Sequence, residues 1–228
     1  MFQKYRNMEL RKFRNKFDLE LIPASHENII LGTLVWDPII GKPKLEHKGM
    51  PDNIFNSFLD ADLIIETKWE EYMKDLKREK IVDAHMAEST VNFDAGIAIT
   101  LKNPTIVKIQ NNFELKKVTK FSFGDLEVRT MSNLMRIRID SFLEILKINK
   151  WDSYDGKIRR IYMITELYYG SIKLITNTAW KNEFDITISN SNLNLKNSTD
   201  FGNAVEYTFD HNNVPFAMRI EKVKDFNG

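Results

Sequence analysis

A chain of 228 residues with 43% apolar content and 15 phenylalanines can bury the core of one domain, which sets aside a disordered protein. It has no cysteine, so disulfides, thiolate metal sites, a cysteine nucleophile and S-acylation are excluded together, and an intracellular protein is the expectation. The net charge of +1 is unevenly placed: residues 1–17 carry Lys4, Arg6, Arg11, Lys12, Arg14 and Lys16 against Glu9 alone, which leaves 27 basic and 31 acidic side chains for the rest.

Residues 2–16 can form a helix with Phe2, Leu10, Phe13 and Phe17 on one broad face and Lys4, Arg11 and Arg14 roughly opposite, although Arg6 and Lys16 fall on the apolar side. A strand-like IILGTLVWD follows at 29–37, then a Pro/Gly loop and a short helix near 52–60 that Asp52 or Asn53 can cap. ETKWEEYMKDLKREK at 66–80 reads as a solvated, charge-laced helix. VNFDAGIAITL at 91–101 alternates Val91, Phe93, Ala95, Ile97, Ile99 and Leu101 with Asn92, Asp94, Gly96, Ala98 and Thr100, a period of two. After Asn103-Pro104, the run TIVKIQNNFELKK alternates again through Val107, Ile109, Phe113 and Leu115, so the pair reads as one long two-faced hairpin. A helix with Leu134, Ile137, Ile139, Phe142, Leu143 and Leu146 comes next.

From 158 the chain turns β-rich. IRRIYMITELYYGSIKLIT is apolar on both faces at first and two-faced from Tyr168, FDITIS at 184–189 alternates as a strand would, and AVEYTF and VPFAMRIEKV close the unit. Strands and helices mix without a βαβ rhythm, so the expected class is α+β: one domain, residues 1–228, with a twisted, largely antiparallel sheet flanked by helices. No apolar run approaches the roughly 18 to 20 residues of a spanning helix, and the N-terminus is charged where a signal peptide would be apolar. A chain made soluble in the cytosol is the expectation.

Catalytic motifs are missing from the sequence. His26, His47, His85 and His211 lie far apart, HENII lacks the second histidine of a zinc-protease motif, and no phosphate loop, GxGxxG or GxSxG occurs. Asp83 with Glu88, or Asp152 with Asp155, read more simply as solvated turn or strand-edge residues than as carboxylate pairs. No enzyme, metal or cofactor is expected, though an enzyme whose site is assembled from distant residues stays open as a third class. By itself the basic opening admits a solvated helix face, a nucleic-acid contact or a membrane anchor. The acidic balance of the remaining chain weakens the second. The two-faced hairpin likewise admits an ordinary half-buried sheet or a membrane element.

The order of these pieces resembles the gasdermin pore-forming domain. The resemblance is carried by the opening MF, KFDLELIPAS at 16–25, ILGTLVWD, NIFNSFLD, KKVTKFSFGDLEV at 116–128 followed by IDSFLEI at 139–145, and above all by RRIYMITELYYGSIKLIT and VPFAMRIEKV. It implies a protein that is cytoplasmic while inactive and then binds acidic phospholipids. Each copy would insert two β-hairpins into a ring-shaped homo-oligomeric barrel, permeabilising membranes in cell death or defence. Lys4, Arg6, Arg11, Lys12, Arg14 and Lys16 would be the lipid contacts. The first hairpin would lie within about 82–116, with Val91, Phe93, Ile97, Ile99, Leu101, Val107 and Ile109 facing lipid. The second would lie within about 160–200, with Ile172, Leu174, Phe184, Ile186 and Ile188 doing so. The chain lacks the large repressor domain of animal gasdermins and the acylated cysteine of many bacterial ones, so restraint by self-association or by an inhibitory or activating protein partner, or an already activated fragment, is the expectation. A non-lytic interaction module of the same fold is the alternative.

Overall fold

The apolar stretch that begins at 161 becomes the longest strand of the protein, and the sheet is arranged around it. The computed structural model describes residues 14–22, 29–36, 53–78, 81–83, 91–93, 105–106, 108–109, 113–114, 117–148, 161–210 and 214–228. In chain order the elements are β1 (Glu20–Leu21), β2 (Leu34–Trp36), α1 (Ile54–Asp60), α2 (Glu66–Arg78), β3 (Ile81–Asp83), β4 (Val91–Phe93), β5 (Val118–Thr130), α3 (Asn133–Ile148), β6 (Ile161–Asn177), α4 (Lys181–Ser191), β7 (Leu195–Asp200), β8 (Ala204–Phe209) and β9 (Ala217–Lys222). The class is α+β and the described strand pairs are all antiparallel.

Strand β6 has partners along both edges. One edge carries β2 at Ile161–Met163 and then β5 from Glu166 to Thr176; the other carries β9 at Tyr162–Tyr168 and then β8 at Ile172–Asn177. This double pairing is what lets a strand that is buried on both faces from Met163 to Ile172, with Glu166 alone half-exposed, satisfy its backbone. On its far side β5 holds β4 at Phe121–Phe123 and β3 at Glu127–Arg129. Consequently β4, β5, β6 and β8 are consecutive neighbours. Phe93, Val118, Asn177 and Ala204 all lie at one end of the sheet.

Two apolar cores form. One gathers Met163, Leu167 and Tyr169 of β6 with Ile54, Phe55 and Phe58 of α1, Leu76 of α2, Met135, Ile139 and Leu143 of α3, and Val223 and Phe226 near the C-terminus. The second gathers Tyr168, Ile172 and Leu174 of β6 with Phe121 and Phe123 of β5, Val205, Tyr207 and Phe209 of β8, Ile106, Ile109, Phe113 and Phe184. Leu167 and Tyr169 alternate with Tyr168, Ile172 and Leu174, so the two cores draw on opposite faces of the strand.

Several sequence expectations need correction. The helix over 66–78 is solvated along much of its length, yet Leu76 is buried, Trp69 Nε1 donates to Asn56 at 2.8 Å and Tyr72 lies 5.1 Å from the Phe55 ring. It packs with α1 and α3. In α3 the buried stripe is Met135, Ile139, Leu143 and Leu146, so of the apolar residues that mark this helix Leu134 and Ile137 are exposed. The strand expected at 29–37 shrinks to β2, because Gly32 turns the chain at φ 79° just before it.

Asn53 holds this turn to α1. Its Oδ1 accepts from the Phe55 amide at 3.1 Å as the N-cap, while its Nδ2 donates to the Leu31 carbonyl at 2.9 Å, all in a buried setting. Asn53→Ala removes the cap and strands the Leu31 carbonyl, for an expected loss of about 2 to 3 kcal/mol. Asn53→Ser, which keeps a capping oxygen, should lose less; urea denaturation of the three proteins measures both.

Candidate functional site

Five of the residues that the resemblance marks for lipid contact meet at the second core. Ile109, Ile172, Leu174 and Phe184 are buried together there, and Ile188 packs against them. Sheet residues alone do not close this core; two helical pieces cover it. Residues 105–106 and 108–109 are helical, the Phe113 amide donates to the Ile109 carbonyl at 2.8 Å, and Ile106, Ile109 and Phe113 form a buried stripe at helical spacing. The other cover is α4.

Strand alternation was expected at both places, and at both the structure has helix instead. In α4 the spacing of Phe184 and Ile188 is that of adjacent turns, so one helix face seats both over the sheet. Ile186, between them in the alternating pattern, points away and is 61% exposed. At 105–109 the residues satisfying the core are Ile106 and Ile109, a pairing that no strand face provides. Strand-like composition lost because the sheet face needed a cover.

Polar contacts fasten α4 from outside. Phe184 sits with ring centroids 4.6 Å from both Phe113 and Tyr207. Lys117 Nζ lies 2.7 Å from Glu183 Oε1 and 4.2 Å from the Trp180 ring centre. Tyr207 donates to Asp185 at 2.8 Å, and burial followed by this bond raises the phenol above its ordinary range. Lys181 reaches Asp200 of β7 at 3.2 Å. Strand β7 itself pairs only with β8 among the described strands and is exposed along its whole length. The clamp residues Lys117, Glu183, Asp185 and Tyr207 carry no sequence motif, since they come from three separate elements.

Of the basic opening, Arg14 and Lys16 are described and Lys4, Arg6, Arg11 and Lys12 lie outside the described residues. Residues 14–17 are helical; Arg14 is ion-paired with Glu20, and Lys16 is exposed with its Nζ 5.0 Å from the Phe17 ring centre. The segment is moored to the sheet. Strand β1 pairs with β9, and Arg219 of β9 reaches Asp18 at 2.9 Å and Glu166 at 2.8 Å, with Tyr168 hydrogen-bonded to the same Glu166. Burial first, and the Glu166 bond second, push the Tyr168 phenol up to about 12.

Of the first hairpin, Val91 and Phe93 lie in β4 opposite Phe123 and Phe121, while Ile97, Ile99, Leu101 and Val107 lie outside the described residues. Among the described residues no helix is long and apolar enough to cross a membrane, and no group of three or more His, Asp or Glu is arranged to hold a metal. No family model matches the chain and no curated protein matches it.

Phe184→Ala should cost about 3 to 5 kcal/mol and speed amide exchange across 181–191 ahead of α3, which hydrogen exchange with mass spectrometry resolves. Tyr168 gives a pH test. Its contribution is fully present below the unfolded value near 10 and is lost as pH rises toward about 12, because the unfolded chain releases the proton first. Alkaline unfolding curves should show this loss, and Tyr168→Phe should reduce it.

Proposed function

We propose that this chain is a gasdermin-like pore former that docks on acidic phospholipids, assembles into a ring of copies and inserts two β-hairpins per copy. The observation that carries the reading is topological. Strands β4, β5, β6 and β8 are consecutive antiparallel neighbours, and the segments that interrupt them, 94–117 and 178–203, both leave from the same end of the sheet. Each segment supplies two arms of about 12 residues, enough for the roughly 9 to 11 that a tilted strand needs to cross a bilayer. In this reading the converting parts follow the last described pairs, at Phe93 and Asn177, which leaves Ile172 and Leu174 of the expected lipid face within β6.

The second core supports the same reading. The helical residues 105–106 and 108–109, with α4, hold apolar side chains in this core, and reforming that cover as strands would extend the four-stranded run. A hairpin in lipid needs every backbone group paired, so edges β4 and β8 would have to meet neighbouring copies, and insertion would require assembly. Docking falls to Lys4, Arg6, Arg11, Lys12, Arg14 and Lys16, of which Arg14 is ion-paired with Glu20 in the structure.

Dye release from vesicles tests this directly. Release is expected with phosphatidylserine present and absent with phosphatidylcholine alone. Each base near an anionic leaflet contributes about 1 kcal/mol, so the triple variant Lys4→Glu, Arg11→Glu, Lys16→Glu should bind acidic vesicles at least about 100-fold more weakly, with an unchanged circular dichroism spectrum. Binding without release would point to the non-lytic module, and neither binding nor release would discard the membrane reading.

A further inference from the structure

All six residues of β7, Leu195–Asp200, are exposed, and among the described strands it pairs with β8 alone. Its outer edge offers backbone groups to another strand. The Phe201 amide donates to the Ala204 carbonyl at 2.8 Å across the turn to β8, and pairing runs without a bulge from there to Asn197. Hydrogen-bonding direction alternates along a strand, so Asn197 and Thr199 also turn their amides to β8, while Ser198 and Asp200 turn theirs outward.

Charges and bulges ordinarily keep such an edge from pairing, and β7 has both: Lys196, Asp200 and a register shift between Leu195 and Asn197. The order of its residues nevertheless makes the edge complementary to itself. LKNSTDF at 195–201 reads apolar, basic, three uncharged polar residues, acidic, apolar. Two copies laid antiparallel with Ser198 opposite Ser198 set Lys196 opposite Asp200 twice, and Leu195 opposite Phe201 twice. Leu195 and Phe201 are 39% and 61% exposed. No other two-fold register does this. A centre between two residues would set an inward-facing amide against an outward-facing one, so only centres on a residue remain. A centre at Asn197 faces Lys196 with Ser198, one at Thr199 faces Asp200 with Ser198, and one at Lys196 or Asp200 faces like charges.

We propose that β7 pairs with β7 of a second copy in this register, forming a closed two-fold dimer in solution. The Ser198 N–H and C=O groups would bond reciprocally at the axis, and the two Lys196–Asp200 pairs would flank them. Within one copy Lys196 meets Asp125 at 3.4 Å and Lys181 meets Asp200 at 3.2 Å, exposed contacts of the kind that can be exchanged at little cost. An isologous contact uses the same patch on both copies and stops at two. It is distinct from the ring contact proposed above, which joins unlike edges, and it stands whether or not the chain forms pores.

Sedimentation of the full chain without lipid tests the contact. One short strand makes a small interface, so a weak equilibrium is expected, with dimer growing in as the chain is concentrated toward about 1 mM. Lys196→Glu and Asp200→Lys each set like charges face to face twice and should weaken dimerisation about 10-fold. The double variant restores opposite charges across the axis but neither pair within a copy. Recovered dimerisation in it, with an unchanged circular dichroism spectrum, therefore singles out the contact between copies. Ser198→Cys gives a second readout, since the chain has no cysteine of its own. Facing Cα atoms about 5.5 Å apart are within reach of a disulfide, so mild oxidation should link this variant into dimers and leave Ser189→Cys, at an exposed position of α4, monomeric. Three results would each overturn the proposal: a chain still monomeric at about 1 mM, a double variant no tighter than the singles, or Ser198→Cys linking no better than Ser189→Cys.

Discussion

Everything in this sheet depends on keeping β6 hydrogen-bonded along both edges. Between Met163 and Ile172 its side chains are buried on both faces, apart from a half-exposed Glu166, and water cannot serve its amides there. Four strands therefore crowd against it, two on each side. Where β9 and β2 flank it, helices α1 and α3 and the C-terminal turn close the structure over one face. Where β5 and β8 flank it, the cover on the opposite face comes from pieces with less of their own to hold them.

That asymmetry divides the molecule by strength. The core under α1, α2 and α3 is cross-braced by aromatic contacts such as Phe58–Phe142 at 5.0 Å. It is also braced by the two-pronged bond of Arg136 to Glu221, both prongs 2.9 Å, and by the guanidinium lying 4.7 Å from the Phe226 ring centre. The core under α4 keeps its strongest packing within the sheet, as in the stacked Phe123 and Phe216 rings at 4.0 Å. Its helical lid is fastened by Phe184 and by exposed ion pairs, which contribute little individually. Elements with few buried apolar contacts open first, so α4 and β7 should open ahead of β5, β6 and α3.

Residues 184–188 illustrate how one short pattern fits two periods. Phe184, Ile186 and Ile188 satisfy a strand face completely and a helix face only in part, since a helix unites 184 with 188 and expels 186. The structure takes the helix and leaves Ile186 exposed. A local pattern that contradicts the observed element is a conflict between levels, and conflicts of this kind concentrate where function lies.

Sequence alone determined the elements whose local signals and tertiary needs agree. The near-continuous apolar run of β6, a cap at Asp52 or Asn53 before α1, the helix α3 and the strands β8 and β9 were legible, because burial on a fixed period leaves a mark in the order of residues. So was the segregation of charge at residues 4–16. Tertiary structure alone decided that 105–106, 108–109 and 181–191 are helical, that Leu134 and Ile137 face water, and that Lys117, Glu183, Asp185 and Tyr207 meet around α4. Alternation over six residues is compatible with either period. Which one forms depends on whether a sheet partner or a face in need of cover stands nearby, and that is set by chain segments far away in sequence.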